Sequence, residues 1–446
     1  MQNFEMGNLC NTIPIEWGNA KYYNLSIGEF IKFTGNTIKL VDVFNSSCTI
    51  NVNGLDYTIH IARRNLPLVV EGTRIFLADS KNVKDIATDN ALGMIHGLLK
   101  GDALICLSDE TEPLLNPDKY VFPISKRDNY DWTMEETSHM FAYLGLSPFL
   151  GEGYYRSHEG IDLSMHDARG FLIHPVVAVE SSTVCWVDVV NTDVNEGCVL
   201  LESDSQPDVN YVYKHLYYKN IFVSPGQHLD KGELIGYIWG DHNWGHLHFS
   251  VVHGNEPPEY SYRYQNLLNF FPQVYQLWYG DLNPHPKVWT KGDFIFGGDY
   301  WKVECRQHNC AYDDIVGYGW LLEPWCTADS VELTLDNVRL SRILFKGTAA
   351  EAFNPELNYI FSIRVEDGTY LLEALVGDNE FYSWQDIYIN DIPVGVFDLP
   401  ANKYKWTEKK IVKSKDGKID VKLLLKDNHS IAGIKEIRFE KISNKR

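Results

Sequence analysis

The stretch "WGHLHFSVV" sets two imidazoles one residue apart, at His246 and His248. Side chains of a strand alternate between two faces. A strand here puts His246, His248 and Ser250 on one face and Leu247, Phe249 and Val251 on the other. That pattern suits a strand whose apolar face is packed and whose imidazoles line a cleft. The plainer alternative is a half-buried strand with two polar residues turned to solvent. Upstream, "RSHEGIDL" supplies His158 and Asp162, with Gly160 between them. Imidazole and carboxylate are standard zinc ligands, and a catalytic zinc takes three protein ligands and keeps a fourth position for water. His158, Asp162 and one histidine of the HxH pair make such a set. Two neutral imidazoles and one carboxylate leave Zn2+ with a net charge of about +1, which lowers the pKa of bound water and polarises a carbonyl oxygen. Between the two motifs, "YVYKHLYY" carries His215. Hydrolysis also needs a group that moves protons and steadies an oxyanion, and imidazole does this near neutral pH.

Taken singly, each piece has a bland reading. "HEGID" can be a surface turn, and a histidine in an aromatic strand is commonly a satisfied core residue. The chain has 15 histidines, so some pairs arise by accident. His166, His174, His228, His242 and His253 are read as structural or surface residues. Order and context favour the chemical reading for the rest.

The elements that must hold these groups are short strands. "TIKLVDVF", "CTINVNGLDYTIHIA" and "TRIFLAD" are rich in β-branched residues, and "NVNGLDYTI" carries the Asn-Gly signal of a tight hairpin. These predict a small β-domain over 1–127. Strands with Gly and Pro turns dominate 128–285, the motif core lying at 150–275. "YQNLLNFFPQVYQLWYG" has helical spacing and is expected to close that domain. Residues 286–329 read as a connecting region. From 330 to 446, "YIFSIRVEDGTYLLEALVGD", "DIYINDIPV" and "KIDVKLLLKD" alternate cleanly around "DG" turns, which predicts an antiparallel sandwich. The fold class expected is mainly β and multidomain.

Composition narrows the function classes. With 446 residues, 44% hydrophobic and 22% charged, the chain is globular and long enough for about three domains. A net charge of -20 argues against a nucleic-acid binder, which needs clustered Lys and Arg. Aromatic residues make up 13%, with 26 Tyr and 12 Trp, a richness that fits β-structure and contact with sugars or peptides. No run approaches the ~18 apolar residues of a membrane span. "MQNFEMGNLC" lacks the basic start and apolar core of a signal peptide. The eight cysteines form no CxxC pair. Cys305, His308 and Cys310 in "ECRQHNC", with Cys326, are read as ordinary thiols or one disulfide rather than a second zinc site.

"HEGIDL", "HPVVAVESSTV", "YKHL", "VSPGQHLDKGELIGYI" and "GHLHFSV" occur in an order that resembles the LytM/lysostaphin-like metallopeptidases, the M23 family. The resemblance covers about 100 residues, from His158 to Val252, with matching glycines at Gly226, Gly232 and Gly236. It implies that His158, Asp162 and His248 hold Zn2+ and that His215 and His246 are the catalytic histidines. It further implies a zinc endopeptidase cutting short peptide bridges, with peptidoglycan as substrate and an extracellular or cell-envelope location. The segment "TDVNEGCVLLESDSQPDVN" is read as an unusual acidic loop that bears on substrate fit and not on the metal. The C-terminal part resembles a galactose-binding or malectin-like sandwich, which implies a glycan contact; "FYSWQ" (Phe381, Tyr382, Trp384) is its candidate surface. The runner-up is a non-catalytic LytM-like module that binds wall peptides or regulates another hydrolase. A lipoyl- or biotin-carrier-like barrel is the third reading, and it leaves the histidine motifs unexplained.

Overall fold

The computed structural model describes residues 8–44, 47–60, 66–81, 98–125, 160–163, 174–191, 196–238, 247–254, 265–266, 270–285, 288–296, 312, 317–321, 331–333, 338–340, 358–427 and 430–442. The described chain is a multidomain, mainly β protein, as its strand-forming composition requires. It divides into two compact units, Met1–Asn283 and Pro284–Arg446.

In the first unit, the N-terminal strands form two antiparallel sheets. Ile15–Trp17, Ala20–Leu25, Ala103–Asp109, Thr73–Ser80 and Leu68–Val70 lie side by side in one; Phe30–Phe33, Asn36–Val43, Ser47–Val52 and Leu55–His60 form the other. The Asn-Gly hairpin is present: Val52 faces Leu55, and the two residues between, Asn53 and Gly54, have φ of 50° and 97°. Both central residues of a type I′ turn need positive φ, which asparagine tolerates and glycine allows freely.

The central sheet orders Ile161–Leu163, Leu247–His253, Val209–Ile221, Glu196–Ser203, Ser182–Asn191 and His228–Leu229, with Leu234–Ile238 joining Val209–Ile221 and Pro175–Val177. The N-terminal strands are anchored to its back. Trp17 is fully buried, and its Nε1 donates to the Tyr211 hydroxyl at 3.0 Å. Tyr211 in turn donates to the buried carboxylate of Glu180, which also accepts from Ser205 at 2.7 Å. A buried carboxylate is tolerable only with such donors. Helix Phe271–Tyr279 completes the layer, starting at a proline and ending on Gly280 in the left-handed region (φ 86°). Its Gln276 accepts the Leu115 amide at 3.1 Å.

In the second unit, two antiparallel sheets share a core of Phe294, Phe296, Tyr318, Trp320, Phe361 and Phe439. Two of its strands, Lys291–Ile295 and Tyr318–Leu321, come from the 286–329 stretch and pair with Ala432–Lys441 and Asn358–Arg364 respectively. Type I′ turns recur at Asn390–Asp391 (φ 46° and 65°) and Asp416–Gly417 (φ 51° and 70°). Among the described residues, no helix is long and apolar enough to cross a membrane. Cys10, Cys48, Cys106, Cys185 and Cys198 are free thiols. Cys305, His308, Cys310 and Cys326 lie outside the described residues.

Candidate active site

The Leu247–His253 strand is the spine of the site, and its apolar residues set its register. Leu247, Phe249 and Val251 are fully buried. Phe249 faces Ile161 on one neighbouring strand and Tyr213 on the other, with Tyr211 stacked at a ring distance of 6.0 Å. A slip of one residue would expel this whole set from the core. With that face fixed, His248 and Ser250 occupy the opposite face. They are also buried, at 4% and 3% exposure, so the strand is covered on both faces and the solvent-facing alternative does not hold for His248. The same face continues as an apolar layer of Cys198, Leu200, Val212 and Val252 against Cys185 and Trp186.

Asp162 is directly opposite His248 in the antiparallel pair. Directly opposed positions share a face and have their Cβ atoms ~5 Å apart, so the backbone alone brings the two motifs together. Gly160 explains why the approach is this close. A methyl group there would lie 2.5 Å from Ser250 Oγ, 2.6 Å from the Phe249 carbonyl oxygen and 2.9 Å from His248 Nε2. Only glycine lets the first motif press against the histidine. His248 Nε2 also lies 3.0 Å from the Ser250 hydroxyl.

His215 reaches the same site through a backbone irregularity. Along the Glu196–Ser203 pairing, Gly197 faces Leu216 and Val199 faces Tyr213. Cys198 therefore opposes two residues, Lys214 and His215, which is a β-bulge. His215 has a φ of 63°, a conformation that costs a non-glycine residue about 1–3 kcal/mol. Lys214 opposes His248, so strict alternation would put His215 on the opposite face, with Tyr213 and Phe249. The bulge instead leaves the ring beside His248, with centroids 5.9 Å apart and planes at 81°. His215 Nδ1 lies 2.5 Å from Glu196 Oε1. Glu196 belongs to the segment read as an acidic loop, but Glu196–Ser203 is a strand paired on both edges, and nothing in residue spacing alone pairs Glu196 with His215.

Beneath the site, burial pushes the phenols of Tyr211 and Tyr213 well above their usual pKa, so both stay neutral. Burial lowers the His253 pKa to about 4, against a smaller opposing effect of Asp208; at neutral pH it is an uncharged ring at the far end of the strand. His228 makes an exposed pair with Asp204 at 2.7 Å, and His174 is buried. His158, His166, His242 and His246 lie outside the described residues, and Asp162 is described by its backbone only. Among the described residues, no three His, Cys, Asp or Glu side chains converge on one point.

The sheet thus brings an aspartate position and two histidines close together within one β domain. Residues 156–259 match Peptidase family M23. Among solved structures, the chain is similar to the catalytic domain of lysostaphin from Staphylococcus simulans, with 18% identity, 30% of this chain and 89% of that one covered, and a TM-score of 0.22. It is similar to a lytM-type protein from Ruminococcus gnavus, with 16% identity, 35% and 61% covered, and a TM-score of 0.26. A zinc-containing peptidase from Vibrio cholerae shares 13% identity over 56% of this chain and 85% of its own, with a TM-score of 0.23. The chain spans 40% of a Bacillus subtilis protein and 61% of the Ruminococcus protein that it matches. No curated protein matches it.

Proposed function

We propose that this protein is a zinc-dependent endopeptidase that hydrolyses short peptide bridges, with bacterial peptidoglycan as its substrate and the cell envelope or exterior as its place of action. The observation that carries this reading is the meeting of the Asp162 position, His248 and His215 on one sheet face within the M23-matching segment. His158, Asp162 and His248 would hold Zn2+. The fit rests on the donor set, on the buried imidazole of His248 and on Gly160, whose lack of a side chain keeps the approach to that imidazole clear. When bound, zinc supplies Lewis-acid polarisation of the scissile carbonyl and lowers the pKa of water. His215 and His246 are the proton-handling groups. The ring nitrogen of His215 that is not beside Glu196 takes a proton during attack and returns it to the leaving amine.

The test is digestion of insoluble peptidoglycan by the zinc-loaded protein. New amino groups should appear in the soluble fraction, vanish on chelation and return with added zinc. Zinc-loaded protein that sediments with peptidoglycan yet releases no amino groups would make it a binding module instead.

We assign the C-terminal unit a glycan contact at Phe381 and Tyr382. Both are exposed, at 45% and 43%, whereas Trp384 is half-buried. Aromatic faces that lie open to solvent suit stacking on sugar rings. Phe381→Ala combined with Tyr382→Ala should reduce co-sedimentation with peptidoglycan severalfold, because tethering raises local enzyme concentration. Cleavage of a small soluble peptide should be unchanged. Undiminished sedimentation would remove the glycan role from this pair.

A further inference from the structure

The proposed chemistry leaves Glu196 unused, although its carboxylate is in contact with His215. Glu196 starts the Glu196–Ser203 strand, and its Oε1 lies 2.5 Å from His215 Nδ1. The side chains are shielded, at 14% and 24% exposure, yet not sealed from solvent. Two features show that the pair is built rather than incidental. First, the histidine reaches the glutamate from a bulge at positive φ, a conformation with a standing cost that needs compensation elsewhere. Second, the same ring lies beside His248, with centroids 5.9 Å apart, so one imidazole contacts both the carboxylate and the proposed metal ligand.

We propose that Glu196 is a positioning residue for His215. Its carboxylate accepts the Nδ1 proton. That fixes the neutral tautomer with its proton on Nδ1 and holds the ring plane against rotation. When Nε2 gains a proton during the reaction, the carboxylate stabilises the resulting imidazolium. The geometry is that of a base oriented by a third group, in which the carboxylate itself never takes up the proton. This inference rests on the reading of His215 as a catalytic histidine.

The experiment compares the wild-type protein with Glu196→Gln and Glu196→Ala, each loaded with zinc. Proton NMR of the substrate-free protein should show a downfield imidazole N–H resonance in the wild type that disappears in Glu196→Ala. With peptidoglycan as substrate, kcat should fall about 10–100-fold in Glu196→Ala, the usual scale for removing the partner of a functional histidine. KM and zinc content should stay near wild type. Glu196→Gln keeps the shape and an acceptor oxygen but not the charge, so its kcat should lie between the other two; it carries the kinetic test if the alanine variant fails to fold. An unchanged kcat in Glu196→Gln or Glu196→Ala, or a downfield resonance that survives in Glu196→Ala, would overturn the assignment. If the wild type is itself inactive on peptidoglycan, the peptidase reading fails, while the resonance still decides whether Glu196 holds His215.

Discussion

Asp162→Ala is expected to purify without stoichiometric zinc and to leave peptidoglycan intact. The substitution removes the single carboxylate of the proposed ligand set, so two imidazoles remain to hold a dication whose charge nothing offsets. Three protein ligands are the usual minimum for a catalytic zinc. Loss of the metal removes carbonyl polarisation and water activation together. The activity loss should therefore exceed the roughly 10²–10³-fold cost of deleting a single oxyanion donor. The fold should survive, because the flanking Ile161 and Leu163 are fully buried and keep the short strand in register with Phe249 and Leu247. Elemental analysis beside a melting curve separates the two effects. An Asp162→Ala protein that melts normally and retains full zinc would remove Asp162 from the ligand set.

Much of this site was legible because its residues obey simple periodicities. The alternation in "LHFSVV" places Leu247, Phe249 and Val251 in the core and His248 with Ser250 on the other face, and that is where they lie. The glycine of "HEGID" sits where a side chain cannot fit. The helical spacing of "YQNLLNFFPQVYQLWYG" holds for Phe271–Tyr279, whereas Gln265–Asn266 at its start is a strand paired with Val252 and His253. The Asn-Gly pair specifies its hairpin because few other residues accept the required φ.

The remainder depends on pairing, which a single strand does not encode. His215 faces His248 only because the neighbouring strand supplies one residue against two at Cys198. Counting along Val209–Ile221 cannot reveal a bulge that depends on the partner strand. The same limitation hid Glu196, whose role comes from lying across that bulge and not from any spacing to a motif. Strands Lys291–Ile295 and Tyr318–Leu321 look like connecting sequence because they are short, and they acquire strand character from the long strands beside them.

The second large effect is expected at His215, and the backbone dictates which substitution tests it. Alanine would confound the result: at a φ of 63° a Cβ-bearing residue without polar compensation is strained, so His215→Ala should lose about 1 kcal/mol of stability as well as the ring. Asparagine is enriched in this region of backbone space. His215→Asn should preserve the bulge, the sheet and the zinc, while removing the group that moves the proton. Deleting a positioned acid–base group costs roughly 10²–10⁴-fold in rate. Cleavage should fall by that factor with zinc content and melting temperature near wild type, and with little change in KM, since His215 is proposed to act in the transition state rather than in ground-state binding. Full cleavage by a folded, zinc-loaded His215→Asn protein would make His215 a structural residue of the bulge. Loss of zinc from that variant would place His215 among the metal ligands, and the division between metal-holding and proton-moving histidines would then have to be redrawn around it.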